Sequence, residues 1–334
     1  MTSKKTPKTL KTLLASGLVA LAATTFAAPP AAAADAVSLR LNWLLSGVHS
    51  IFFLGLDRGY YKDEGIELTI GEGQGSGKAV QVVATGGDTF GVADGGSVIG
   101  GVTRGAPVKS VLGILNTSPY GLSFRADAGV EKIKDIEGKT IAGTPGEASM
   151  ALLPAIWQAN DIDPAKVKIL NVDGPGKLVA ILEKRVDGIL AGLEGQVVIL
   201  DQRGLKQKVF SFAELGVNTE GLTIIANDDT ITNKKDLVAR FVRATVKSIE
   251  AAKADPDAAV AAALKIKPDA DAKLMKAQLL VSITLLPSPL APEAPTGEMN
   301  PADWARTLEL MKTYQDVTTD MTPETFYTNA FVPK

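Results

Sequence analysis

Between Leu39 and Thr103 the hydrophobic period switches repeatedly from 2 to roughly 3.6, and this restricts the chain to alternating strands and helices. Residues 39–43 alternate apolar and polar side chains as a strand does, Ser46-Gly47 breaks the pattern, and 51–56 restarts it as an apolar helical run. Tyr60-Tyr-Lys-Asp-Glu-Gly65 closes that helix, and Ile66-Glu-Leu-Thr-Ile70 reads as a second strand. A glycine-dense loop over 71–78 leads into a helix at 79–84. Residues 88–93, 94–97 and 98–103 then repeat strand, loop and helix, and 107–114 is a further strand. Such traffic predicts an α/β fold with a mainly parallel sheet flanked by helices. In open sheets of this kind ligands bind at loops leaving the carboxyl ends of strands, which puts Asn42, Trp43, Ser46 and His49 at a pocket mouth.

The pattern changes character at 116–125. Ser118-Pro119 breaks the chain, 121–124 is extended, and a charged connector covers 125–139. Strand and helix signals then resume: a strand at 140–142, a loop at Gly143-Thr-Pro-Gly146, a helix over 147–160, a strand at 167–172, a helix at 177–185, and a strand at 188–193 running into Glu194. Residues 221–226 look like the strand that returns the chain, and the remainder is helical. Leu237, Phe241, Val242, Thr245 and Ile249 form one stripe, ended by Asp255-Pro256. Further helices are expected at 256–264, 271–283 and 301–314, with a proline-rich connector at 287–295. The expected division is lobe 1 at 35–122 with 223–334, and lobe 2 at 123–222. A chain of this length exceeds one ordinary core, and its apolar fraction of 46% can supply two.

The first eleven residues carry Lys4, Lys5, Lys8 and Lys11 and no acid, 13–26 are small and apolar, and Ala31-Ala-Ala-Ala34 offers a small-residue cleavage site. This predicts a secretory signal peptide over 1–34, cut near Ala34, and a mature protein in the periplasm with no stable membrane insertion. The apolar run is shorter than the roughly 18 residues needed to span a bilayer. Losing four lysines takes the formal charge from −2 to −6, which argues against nucleic acid as a partner. The chain has no cysteine, which excludes disulfides, thiol catalysis, thiolate metal sites and a lipid-modified cysteine.

The loop Gly71-Glu-Gly-Gln-Gly-Ser-Gly-Lys78 fails the phosphate-loop and dinucleotide spacings, so Gln74 and Ser76 remain as candidates on a bare backbone that a ligand can approach. Asp94-Gly-Gly-Ser97 and Thr144-Pro-Gly-Glu-Ala-Ser149 each put small polar groups where a strand gives way to a helix. One such turn per lobe would give a cleft facing helix amino termini, drawing Asp94, Ser97, Thr144 and Ser149 into the candidate set. Asn116 joins it at the break between lobes. His49, the only histidine, reads as a general base, a metal ligand, a hydrogen-bond donor to a ligand or a helix cap. No second histidine or carboxylate cluster supports a metal, and no serine elbow supports a triad. Trp43 offers either core packing or a flat binding surface. Glu194, at a buried strand end, needs an ion pair or a ligand N–H. No catalytic residue, metal or cofactor is assigned.

Taken in order, several runs resemble one family: Asn42-Trp with His49 after five residues, Gly59-Tyr-Tyr-Lys-Asp-Glu-Gly65, Gly87-Asp-Thr-Phe-Gly-Val-Ala-Asp94, Arg104-Gly-Ala-Pro-Val108, Ile136-Glu-Gly-Lys-Thr-Ile-Ala-Gly143 and Val238-Ala-Arg-Phe-Val-Arg243. They resemble the periplasmic solute-binding proteins of ABC importers that take thiamine-pyrimidine precursors, sulfonates, taurine and nitrate. The resemblance implies a two-lobe type II periplasmic binding fold, a small ligand in the interlobe cleft, docking of a monomer on a permease with its ATPase, and no enzymatic activity. The Trp43 and His49 spacing and Glu194 look most like the pyrimidine-precursor binders, whereas Leu44-Leu-Ser-Gly-Val48 replaces the proline- and asparagine-rich loop common there. A neutral or amino-bearing heterocycle or a small aromatic is the expected ligand. Glu194 opposes a bare anion unless paired, and Lys78 favours one. Two rivals remain: a pyrimidine-forming enzyme on the same fold, whose cysteine-rich iron motif this chain lacks, and a ligand-loaded sensor protein.

Overall fold

The computed structural model describes residues 1–5, 34–145 and 147–334. The expected leader over 1–34 lies almost wholly outside these residues, as does Gly146. Among the described residues no helix is long and apolar enough to cross a membrane.

Among the described residues ten strands make two five-stranded sheets. The first contains β1 (Asp35–Arg40), β2 (Ile66–Gly71), β3 (Phe90–Asp94) and β4 (Val108–Gly113), joined by β10 (Leu222–Asn227), in the order β2-β1-β3-β10-β4. The second contains β5 (Tyr120–Arg125), β6 (Thr140–Gly143), β7 (Lys168–Asn171), β8 (Gly188–Gly192) and β9 (Gln207–Ser211), in the order β7-β6-β8-β5-β9. Four strands of each sheet run in one direction, and the fourth position in each order holds the one strand antiparallel to both neighbours. That strand is always the one that has just crossed from the other lobe: β5 after residues 114–119, β10 after residues 212–221. Each sheet is therefore mixed, and each takes an inner strand from a chain crossing. β9 was not expected from the sequence, because Gln-Lys-Val-Phe-Ser is a short, half-exposed edge with little alternation.

Local chemistry explains most boundaries. The helix expected over 147–160 is two pieces, Ala148–Ala151 and Leu153–Ala159, because Pro154 has no N–H to continue the ladder and fits best in a first turn. Asp255 ends the helix Lys235–Ala254 and caps Pro256–Ile266 through the Ala258 N–H. The apolar stripe of Lys235–Ala254 packs on the first sheet, with Phe241 stacked 4.0 Å from Phe90 and 5.5 Å from Tyr61. Leu122, Phe124, Ile141 and Trp157 anchor the separate core of the second sheet.

Two features tie the lobes together. Leu193, just past β8, belongs to the first-lobe core. The helix Pro301–Tyr314 puts Trp304, Leu308 and Met311 against the first lobe and Leu310 and Tyr314 against the second. The crossings are also laced to each other: the Ser118 N–H donates to Asn218 Oδ1 at 2.9 Å, Asn218 Nδ2 donates to Asp303 Oδ1 at 2.9 Å, and Ser288 Oγ donates to Asp303.

The loops at the carboxyl ends of β1 and β2 touch without side chains between them. A Cβ on Gly73 would stand 1.8 Å from the Leu41 carbonyl oxygen, whereas one on Gly77 would meet nothing within 4 Å. Gly73→Ala is expected to cost at least about 2 kcal/mol in thermal or urea unfolding through this clash. Gly77→Ala, in an open helix position, should change stability by less than about 1 kcal/mol and in the stabilising direction.

Candidate functional site

The carboxyl end of β1 leads into residues 41–49, which are held by bonds that leave one large side chain outside. The Gly75 N–H donates to the Asn42 carbonyl at 2.7 Å and the Gly73 N–H to the Trp43 carbonyl at 3.1 Å. The Leu45 N–H donates to Glu72 Oε1 at 2.8 Å. His49 lies beneath, 2% exposed, with its Nε2 2.8 Å from Asn42 Oδ1 and its Nδ1 accepting from the Ser46 N–H at 3.1 Å. An Nδ1 that accepts leaves the proton on Nε2, which then donates to Asn42. Burial lowers the imidazole to about 4, only partly opposed by the nearby Glu72 charge, so the ring is neutral at pH 7. Both ring nitrogens are used inside the loop, and the structure places His49 off the cavity wall, as the brace that positions Asn42 and Trp43. Trp43 itself is 57% exposed.

A cavity of about 860 Å³ opens between the sheets, within the roughly 300–1,000 Å³ usual for small-molecule sites. Of the sequence-predicted residues, Asn42, Trp43, Ser76, Asp94 and Ser97 meet on its first-lobe wall. Asp94 caps the helix Gly95–Val102, accepting from the Ser97 N–H and Ser97 Oγ at 2.8 Å each, and its own N–H donates to Ser76 Oγ at 3.2 Å. Its carboxylate is thus committed on both oxygens. The second lobe contributes Tyr120, Glu147 and Met150, while Arg104, Met311 and Gln315 complete the rim. None of these six was singled out from sequence. Tyr120 opens β5, Glu147 lay inside a motif read for its small residues, and Met311 and Gln315 come from a helix remote in the chain.

The other predicted residues sit elsewhere. Ser46 is spent on His49 and Gln74 is exposed away from the cavity. Asn116 lies 3% exposed beside a second cavity of about 190 Å³ under the proline-rich connector, its Nδ2 donating to the Glu298 carbonyl at 2.8 Å; the correction follows from the first crossing turning it away from the cleft. Ser149 is buried and its Oγ reaches Glu147 Oε2 at 3.5 Å. Thr144 Oγ1 and Glu194 Oε2 are both buried without a hydrogen-bond partner. Glu194 is carried on a single wide turn, Leu193–Val197, with i to i+5 hydrogen bonding of the kind frequent at functional sites. Burial pushes its carboxyl up to about 7. Burial also raises the Tyr120 phenol well above its ordinary value, and the charges of Asp94, Glu194 and Glu147 push it further, so the phenol keeps its proton and can donate. Among the described residues no group of His, Asp and Glu has the arrangement of a metal site.

Residues 46–259 match the family model described as NMT1/THI5 like. The riboflavin-binding protein RibY of Chloroflexus aurantiacus is 26% identical over 305 residues, covering 89% of this chain and 86% of that protein. A 4-amino-5-hydroxymethyl-2-methylpyrimidine phosphate synthase of Legionella pneumophila is 25% identical over 236 residues, covering 70% of this chain and 74% of the enzyme. In fold, the periplasmic aliphatic sulphonate binding protein SsuA of Escherichia coli matches with a TM-score of 0.69 at 12% identity, covering 87% of this chain and 91% of its own. The strand orders above are those of the type II periplasmic binding fold expected from the sequence.

Glu194 generates a pH prediction. Its folded value is raised above its unfolded one, so it costs nothing below about pH 4.5, where both states are protonated, and its cost grows as pH rises through 7. Glu194→Gln should match the parent near pH 4.5 and be more stable by up to about 3 kcal/mol at pH 8, read from denaturant unfolding across pH.

Proposed function

The chain belongs to the NMT1/THI5-like family, and from that premise we propose that it is an extracytoplasmic solute-binding protein whose two lobes close on a small planar nitrogen heterocycle for delivery to an ABC permease. The observation that carries the reading is the interlobe cavity, with the exposed Trp43 indole on the first lobe facing the Tyr120 and Glu147 side chains of the second. An indole face gives a flat ligand large contact area at little entropic cost. The Tyr120 hydroxyl supplies a donor and the Glu147 carboxylate an acceptor for ring edges. Asn42, Ser76 and Ser97 offer further hydrogen bonds from the first lobe. Contacts that exist only with both lobes engaged drive closure.

Riboflavin, the ligand in one relative's name, and the pyrimidine in the other's are both flat nitrogen heterocycles carrying hydrogen-bonding edges. That shared chemistry favours such a ligand over the sulfonate in the name of the SsuA neighbour, whose likeness concerns the fold. The lysine-rich, then apolar, amino terminus supports export to the periplasm. The similarity to a synthase keeps an enzymatic reading in play. Against it stand the absence of cysteine and the internal commitment of both His49 nitrogens and both Asp94 oxygens.

Isothermal titration with riboflavin and with 4-aminopyrimidines tests the proposal. One of these classes should bind and, at a concentration 100 times Kd, stabilise the protein by about 2.7 kcal/mol. Trp43→Ala should weaken that binding at least about tenfold without loss of folding, since Trp43 is mostly exposed. Unchanged affinity in both Trp43→Ala and Tyr120→Phe, or turnover of the bound compound, would overturn it.

A further inference from the structure

The second-lobe wall holds an ion pair whose burial is lopsided. Lys177 Nζ lies 2.7 Å from each oxygen of Glu147, yet the lysine side chain is 2% exposed and the glutamate 30%. Lys177 sits in the first turn of the helix Gly174–Leu182, capped by Asp173. A cation there is held against the positive end of the peptide dipoles as well as against desolvation. The Glu147 carboxylate, which lines the cavity, stands between this ammonium and any ligand. Both of its oxygens face Lys177, and Ser149 Oγ adds a long contact at 3.5 Å.

Taking the cavity as the ligand site, we infer that Glu147 sets the charge class of the ligand: it satisfies Lys177 and closes this wall to anions. A carboxylate, sulfonate or phosphate entering from the cavity meets the glutamate before the lysine. A neutral ring with an N–H or O–H edge meets acceptor lone pairs instead. Asp94, hydrogen-bonded by Ser97 on the opposite wall, keeps its negative charge and acts in the same direction, and Tyr120 is a neutral donor. The Arg104 guanidinium also lines the cavity but is exposed, and an exposed charge is screened by water and salt. Lys177 is the buried cation, and removing its counter-ion leaves a desolvated charge that an exogenous anion can pair.

Glu147→Gln preserves the side-chain shape while removing the negative charge. Titrated calorimetrically with ethanesulfonate, it should bind at least about tenfold more tightly than the parent, a difference of about 1.4 kcal/mol. Glu147→Ala, which leaves room for the anion, should show the same direction. Adding Lys177→Met to either variant should abolish the gain, with circular dichroism confirming that each is folded. Equal sulfonate affinity in the parent and both single variants, or a gain that survives Lys177→Met, overturns the inference. The failures are separable: if the heterocycle still depends on Trp43 while sulfonate affinity does not change, the cavity remains the ligand site and only the role of Glu147 falls.

Discussion

Everything in this molecule depends on the chain crossing twice between sheets and, on each arrival, inserting a strand inside the sheet it enters. β5 lies between β8 and β9, and β10 between β3 and β4, each antiparallel to both neighbours. Neither sheet is complete without a segment that has just come from the other lobe. Because the crossings are short and bonded to each other through Ser118, Asn218 and Asp303, the carboxyl ends of the parallel strands are kept facing one another. The cleft follows from that constraint. Leu193 in the first-lobe core and the helix Pro301–Tyr314 across both cores add apolar contacts that any hinge motion must preserve or exchange.

In and beside the cleft, three acids are accommodated by three different devices. Asp94 is spent on a helix cap, Glu147 is paired with a buried lysine, and Glu194 is pushed toward its protonated form by burial. His49 follows the same rule from the other side, since burial keeps it neutral and its two nitrogens hold the loop that presents Trp43. A wall built this way offers hydrogen bonds without a strong net field, which suits an uncharged heterocycle with mixed donor and acceptor edges. Glu194 and Thr144, outside the cavity lining, keep unmet hydrogen-bonding capacity, a standing cost to the fold.

Much of the fold was legible because strand and helix periods differ and the chain keeps switching between them. The loops after β1 and β3 were expected at a pocket mouth, and Asn42, Trp43, Ser76, Asp94 and Ser97 gather on one cavity wall. Pro154 was in plain view as the break in the 147–160 helix. What escaped depends on contacts that only the folded chain creates. Glu147 and Lys177 are 30 residues apart and only the fold makes them a pair. His49 looked chemically available because the sequence does not reveal that Asn42 and Ser46 consume it. Asn116 looked cleft-facing because it stands at the crossing, whereas the turn there directs it to the proline-rich connector. β9 lacked an alternating pattern because edge strands with half-exposed faces do not need one.

The central claim is that a small uncharged heterocycle is held between the lobes against Trp43. Native mass spectrometry of the protein, isolated without denaturation and then incubated with candidate heterocycles, tests it most directly. The account predicts one bound small molecule per chain, retained through gentle desolvation and lost or greatly reduced in Trp43→Ala. Equal occupancy in the parent and Trp43→Ala, or exclusive retention of an organic anion by the parent protein, would contradict it.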